Sequence, residues 1–380
     1  MATTSTAAIH APAWVPQIRD PRSQPRPHAP LIGALRGEGI GTEVVGAALE
    51  VLRRLEDSGG RPVTVELGGP IGKQAERETG AVLPEDVLRF CEDVLRRGGA
   101  ILTGPGGGRY VYELRRRLGL FMKVSPIDSN LGLAAASPLR PESLLGVNML
   151  MVRENLGGIY QGSSTAAPAG DGGSLVEHRF SYRESDVRRF LSAAARLAAS
   201  RRGELVVVVK QAGLPGFADL WRGVAQEVCG EPGVETSFVD IDLMAYRVVE
   251  RPHTFDVVAA SNLFGDILGD LAAVLLGSRA LSFGASYDER GAGVYQTNHG
   301  GAHDIAGAGR ANPAGQILSL AALLRESLGL GREAWALEEG VRIVLREGGT
   351  TDDLGGGLGT EEMAGRVGSA AAQALRAAPA

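Results

Sequence analysis

Residues 261–270, SNLFGDILGD, follow the apolar run FDVVAA (255–260) and place two aspartates inside an otherwise apolar segment. An apolar run, a turn and then periodic apolar residues read as a buried strand feeding a helix. Residues four apart are neighbours on a helix, so Asp266 and Asp270 share one face. Like charges at that spacing repel unless a cation lies between them. Two readings stay open on this stretch alone. Asp266 caps the helix start while Asp270 is solvated, or the pair supplies oxygen ligands to a hard divalent cation.

The surrounding chain has 380 residues, 44% hydrophobic and 22% charged, with a net charge of −5. That composition fits a soluble, globular protein long enough for two compact units or one intertwined pair. The mild acidic balance gives no electrostatic footprint for nucleic acid or an anionic membrane. Cys91 and Cys229 stand far apart without a partner motif, which excludes a disulfide framework and a thiolate metal site. No apolar run reaches the roughly 18 residues of a membrane span. Residues 1–29, rich in Pro, Ala and Ser and without a continuous apolar stretch, read as a disordered tail and not a signal peptide. The expected location is the cytoplasm. Of the 39 basic residues only three, Lys73, Lys123 and Lys210, are lysines. A lysine retained in so arginine-rich a chain can titrate where arginine cannot.

Strand and helix patterns alternate. LIGAL (31–35), PVTVEL (62–67) and AILT (100–103) read as strands, and the segments between them as amphipathic helices. Further strand patterns lie at NMLMVREN (148–155), ELVVVVK (204–210) and FDVVAA, and a long glycine-rich loop spans 298–313. The order predicts a largely parallel α/β sheet whose domains share strands. The first glycine loop, GEGIGTE (37–43), is not the dinucleotide fingerprint, and Glu38 stands where a pyrophosphate would lie. A Rossmann fold is therefore rejected.

Several other residues could carry chemistry. Asp240, at the end of an apolar run, is a possible third metal ligand. Lys210 ends a buried strand and, near a cation, would have a lowered pKa suited to a base. Arg115 and Arg153 could each grip a carboxylate through two hydrogen bonds. Tyr160, in the turn GGIYQG (157–162), could act as an acid. Each also has an ordinary structural reading: Arg153 a surface ion pair, Tyr160 a packing ring, Asp240 a turn residue.

Taken together and in order, these motifs resemble the β-decarboxylating dehydrogenases of the isopropylmalate and isocitrate type, from about residue 31 to 375. GEGIGTEV (37–44), VRENLGGIYQG (152–162), SNLFGDILGDLAA (261–273), HGGAHDIAGAGRANP (299–313) and DLGGGLGTEE (353–362) are each similar to a signature of that family. The resemblance implies two intertwined α/β domains sharing a large mixed sheet. Residues 30–122 with 278–380 would form the larger, cofactor-binding domain, and 123–277 the smaller domain for dimerisation and substrate. It implies that Asp266 and Asp270, with Asp240 of a partner subunit, hold Mg²⁺ or Mn²⁺. It assigns Lys210, also from the partner, to the substrate hydroxyl proton, and Tyr160 to protonation of the enolate. Arg115 and Arg153 would orient the substrate carboxylates. His299, Gly300, Asp304, Ile305 and Asn312 would line the adenosine site, with Asp304 on the ribose hydroxyls favouring NAD over NADP. The implied assembly is a homodimer with shared active sites.

Departures from the family pattern cluster where the substrate would lie. In FMKVSP (121–126), Ser125 stands at the position of a family arginine. In an extended segment Lys123 and Ser125 point to one face, so Lys123 could restore the charge. Ala212 replaces a family asparagine. Val111 and Tyr112, with Arg109 nearby, stand where isopropylmalate enzymes carry leucines, which speaks against a purely apolar pocket. The expected activity is NAD- and Mg/Mn-dependent oxidative decarboxylation of a 3-substituted malate. The C3 group could be polar or phosphonate-bearing, and isopropylmalate, homoisocitrate, tartrate or malate stay open. A non-catalytic regulatory subunit is the alternative from another class, opposed by the presence of Tyr160, Lys210 and all three aspartates.

Overall fold

The computed structural model describes residues 13–23, 28–129, 137–170, 172–230 and 232–378. Twelve strands appear among them. In chain order they are β1 (Leu31–Leu35), β2 (Thr64–Leu67), β3 (Ala100–Thr103), β4 (Met122–Asp128), β5 (Asn148–Glu154) and β6 (Ser163–Pro168). They continue with β7 (Ser174–Arg179), β8 (Glu204–Val209), β9 (Glu235–Asp240), β10 (Val257–Ala260), β11 (Phe283–Tyr287) and β12 (Gly293–Thr297). Ten of them form one sheet in the order β2-β1-β3-β12-β11-β4-β5-β10-β8-β9. The wings β2-β1-β3-β12 and β5-β10-β8-β9 are internally parallel. Three antiparallel steps, β12–β11, β11–β4 and β4–β5, join them. An odd number of reversals makes the wings run in opposite directions, which no doubly wound Rossmann sheet does.

The near-continuous apolar runs of β1, β3, β8 and β10 are buried, as expected of parallel strands covered on both faces. The helix Ala314–Glu326 is buried on nearly every side and packs on β11 and β12 beneath the helices Gly331–Arg346 and Gly41–Asp57. On the other wing, Trp221 is fully buried among Phe190, Tyr182 and Phe217.

Two loops at the sheet centre interlock through glycine. Gly39 has φ +60°, and a Cβ there would lie 1.9 Å from the Gly301 carbonyl, which accepts a hydrogen bond from Ile40 N. Only glycine allows that approach. Glu38 is buried and accepts hydrogen bonds from Gly107 N (2.6 Å) and Gln74 N (3.1 Å). The carboxylate that argues against a pyrophosphate here ties its own loop to the Gly107 loop and to the first turn of the helix Gly72–Thr79.

The stretch 162–174, notable in sequence only for Gly, Ser and Ala, lies mostly in an antiparallel ribbon of β6 and β7 with every residue of both strands exposed. The disordered-tail expectation for 1–29 needs correction over 13–23, while residues 1–12 and 24–27 lie outside the described residues. Val15–Ile18 form a helical turn, with Ile18 1% exposed. The turn is fastened to both wings: Arg196 Nε donates to the Gln17 carbonyl (2.8 Å), and Asp20 N donates to the Glu289 carbonyl (2.9 Å). The Glu326 carboxylate accepts from Trp14 N (2.5 Å) and Val15 N (3.3 Å). Composition pointed to a solvated tail, but Trp14, Val15 and Ile18 carry enough apolar surface to dock.

Candidate active site

Over the antiparallel centre of the sheet lies a cavity of about 270 Å³. Its floor is two cross-strand rows. One runs Arg153–Lys123–Ser286 and the other Met151–Ser125, then Gly284–Gln296. Alternation along β4 puts Lys123 and Ser125 on the same, cavity-facing side, as the sequence implies. Gly284 makes room for both, since a Cβ there would lie 2.5 Å from Ser125 Oγ and 2.9 Å from Lys123 Cε.

The helix Asn262–Ala272 forms one wall, with Asp266 and Asp270 both bordering the cavity. Ser261 is its N-cap residue, so neither aspartate caps the helix. Asp266 is paired with Arg153, and Asp270 with Arg279 (2.6 Å). Asn262 fixes the Arg153 guanidinium by accepting from Nε (3.1 Å) and Nη2 (2.8 Å). The helix Tyr110–Arg117 supplies Tyr112 and the buried Arg115 on the opposite side. Burial, then repulsion from Arg153, lowers the Arg115 pKa to about 9. Burial and repulsion from Arg115 and Arg153 push the Lys123 ammonium well below its ordinary value. The cavity is thus short of negative charge, a condition that anionic ligands relieve.

Tyr160 stands at the rim. Its ring packs 5.3 Å from Tyr112, with the Arg153 guanidinium 5.5 Å from its centroid. Burial, with the Asp266 carboxylate adding to it, raises its pKa to about 12, so the hydroxyl is protonated at neutral pH. Arg109 lies outside the cavity lining and holds this rim by donating to the Tyr160 carbonyl (2.9 Å).

A second cavity of about 570 Å³ adjoins the first, sharing Arg279, His299 and Gly300. Ile305 and Asn312 border it, as do Arg310, Asp352 and Asp353. The Asn312 amide is occupied, donating to Asp353 (3.1 Å) and accepting from Ala314 N (2.9 Å). Asp304 is exposed on the neighbouring loop and not part of this lining.

Lys210 and Asp240 do not join Asp266 and Asp270 within one chain. They end β8 and the adjacent strand β9, where Lys210 Nζ lies 2.7 Å from Asp242 and 3.8 Å from Asp240. That pairing raises the Lys210 pKa, the reverse of the lowering expected from a nearby cation. Among the described residues, no three acidic, His or Cys side chains gather as a metal site. The two carboxylates do fit a hard divalent cation that takes its other oxygens from water, substrate and a further subunit. Sequence reasoning passed over Arg279, Gln296 and Asn298. Of these, only Asn298, preceding His299, sat beside a motif.

The family model for isocitrate/isopropylmalate dehydrogenase matches residues 31–367. The chain belongs to that family of decarboxylating dehydrogenases, which act on a CH–OH group. It is 38% identical over 352 residues to the 3-isopropylmalate dehydrogenase of Anaeromyxobacter dehalogenans, covering 88% of this chain and 98% of the relative. It is also 38% identical over 353 residues to the enzyme of the same name from Rhodopirellula baltica, covering 88% and 96%. Among solved structures it resembles the isocitrate dehydrogenase of Methylococcus capsulatus, with TM-score 0.79 and 29% identity over 90% of this chain and 99% of that one. A beta-decarboxylating dehydrogenase from Thermococcus kodakarensis in its apo form gives TM-score 0.70 and 29% identity, covering 90% and 96%.

Proposed function

We propose that the chain catalyses NAD- and Mg²⁺- or Mn²⁺-dependent oxidative decarboxylation of a 3-substituted malate. The observation that supports this most is the cavity itself: a carboxylate pair on one helix face, set against Arg115, Lys123 and Arg153, opening through His299 and Gly300 into a second cavity. Mg²⁺ or Mn²⁺ held by Asp266 and Asp270 would supply Lewis acidity, and NAD held at the second cavity would supply hydride-accepting capacity. Arg115 and Arg153 orient the two malate carboxylates. Lys210 of the partner subunit takes the hydroxyl proton once freed from Asp242, and Tyr160, held protonated, returns a proton to C3 after CO₂ leaves. Asp266 and Asp270, joined by Asp240 of the partner subunit, would hold the metal.

His299, Gly300, Ile305 and Asn312 would line the adenosine site, with Asp304 reaching the ribose. A carboxylate on the ribose hydroxyls, that of Asp304, favours NAD over a 2′-phosphorylated cofactor. In this reading, residues 30–122 with 278–380 carry the cofactor and 123–277 the dimer contacts. A homodimer is supported by apolar exposure on the latter part, including Leu175 (53%), Val176 (65%) and Tyr246 (63%). A lone two-stranded ribbon is marginal in water, so β6–β7 needs a covering surface. Among the described residues, no helix is long and apolar enough to cross a membrane. Two buried cysteines, Cys91 and Cys229, on separate elements suit the reducing cytoplasm.

The test is NADH formation with Mn²⁺ against 3-isopropylmalate, isocitrate, homoisocitrate, phosphonomethylmalate, tartrate and malate, with NADP controls. Metal-dependent turnover of one member supports the reading. Folded protein that binds NAD yet turns over none would favour a substrate outside this panel or the regulatory-subunit alternative, and silence without NAD binding would sink the dehydrogenase reading.

A further inference from the structure

Asn262 opens the helix that carries Asp266 and Asp270, and steps of four residues put all three on one face. Its side chain is wholly buried, and every hydrogen-bonding position on it is used. Oδ1 accepts from Arg153 Nε (3.1 Å) and Nη2 (2.8 Å). Nδ2 donates to the carbonyls of Asn155 (3.0 Å) and Gly157 (2.8 Å). The orientation of the amide is forced, because a guanidinium only donates and a peptide carbonyl only accepts. Its isosteres, aspartate and leucine, supply one half of that set or none of it.

The Asn155 and Gly157 carbonyls lead into the helical turn Ile159–Gln161, which carries Tyr160. That turn has other supports of its own. The buried Glu154 carboxylate accepts from Leu156 N (2.6 Å) and Gly157 N (3.0 Å), and Gly158 N donates to the Ser181 carbonyl (3.1 Å). Asn262 supplies something else, a tie between the turn and the helix Asn262–Ala272. Arg153 is held to the same helix at two levels, by Asn262 on its Nε edge and by Asp266 on Nη1. Should Asp266 turn to a cation, the Asn262 edge would still keep Arg153 aimed.

We propose that Asn262 is the positioning residue of this site, one amide that sets the Arg153 guanidinium and the Tyr160 turn in register with the Asp266–Asp270 face. This rests on the decarboxylation reading above, in which Arg153 orients a carboxylate and Tyr160 returns a proton to C3. Asn262 then acts on proton return through Tyr160 and on substrate affinity through Arg153.

The test uses the full chain as Asn262→Asp and Asn262→Ala, each alone and combined with Tyr160→Phe. Asn262→Asp keeps the acceptor for Arg153 and loses both donors to the turn. With the malate that wild type turns over, its kcat is expected to fall by about 100-fold. The solvent deuterium isotope effect on kcat should rise, because proton return becomes slow. In the Tyr160→Phe background the same change should cost almost nothing further, as when one residue acts through another. Asn262→Ala should add a rise in KM, because Arg153 loses its hold as well. It buries no charge, so it carries the same comparison if Asn262→Asp does not fold. A loss that multiplies with that of Tyr160→Phe, or an unchanged isotope effect, overturns the inference while leaving the decarboxylation reading intact. Should wild type turn over no malate of the panel, hydrogen–deuterium exchange still decides. Amides of residues 155–162 are expected to exchange about fivefold faster or more in both variants, the loss of a net hydrogen bond. Exchange there that neither variant changes overturns the inference.

Discussion

Replacing Glu326 by Gln is expected to stabilise the protein at alkaline pH and to leave it unchanged in acid. The Glu326 carboxyl is 4% exposed, and its neighbour Arg325 is engaged with Glu338. Burial raises its pKa from the ordinary 4.5 to about 7, against the opposing effect of the Trp14 and Val15 amides. The folded state therefore holds this proton more tightly than the unfolded chain. Stability from this group is complete below pH 4.5 and is lost as pH rises through 7. The difference, 7 − 4.5 = 2.5 pH units, corresponds to about 3 kcal/mol. The Gln carbonyl can still accept from Trp14 and Val15 but carries no charge to desolvate. For a chain of 380 residues that energy amounts to about 4 °C in Tm. Thermal unfolding of both proteins at fixed concentration, from pH 4.5 to 8, reads it directly. A Tm difference that does not grow with pH, or one in which the variant loses ground above pH 7, would refute the reasoning.

Other expectations follow from the site. Lys210→Met and Asp266→Asn should each be nearly inactive alone, but refolded together in equal amounts they should recover about a quarter of wild-type activity, because random pairing makes half the dimers mixed, each with one intact site. No recovery would argue against a shared site. Tyr160→Phe should lose about 100-fold or more in kcat while NAD affinity, read by fluorescence titration, holds steady. Gly284→Ala would set a Cβ 2.8 Å from the Val124 carbonyl, on backbone that cannot yield, so a loss of about 1–3 kcal/mol in denaturant unfolding is expected.

What the sequence made legible was local. A helix face carrying Asp266 and Asp270, and a strand face carrying Lys123 and Ser125, follow from the 3.6- and 2-residue periods, and both line the cavity. The absence of a Rossmann sheet could be read from Glu38, although its backbone partners could not. Less legible was whatever depended on distant segments meeting. That Lys210 would sit against Asp242 is set by a chain return of 32 residues, and that Arg279 would pair with Asp270 by an irregular turn after the helix; neither leaves a periodic mark. Residues 13–23 misled because Pro and Ala dominate the composition, whereas docking is decided by a few apolar side chains such as Ile18. The β6–β7 ribbon lacks the alternation of a half-buried strand because neither of its faces is buried in a single chain.

The three lysines occupy three unlike surroundings: Lys73 exposed, Lys210 in contact with Asp242, and Lys123 enclosed over the sheet. In a chain of 380 residues that makes the ammonium groups a sparse set of natural probes. Lysine labelled with ¹³C at Cε should give three resolved signals, without mutagenesis or an attached tag. The Lys123 signal would report occupancy of the cavity floor, the Lys210 signal would report release from Asp242, and Lys73 would serve as the internal solvent reference.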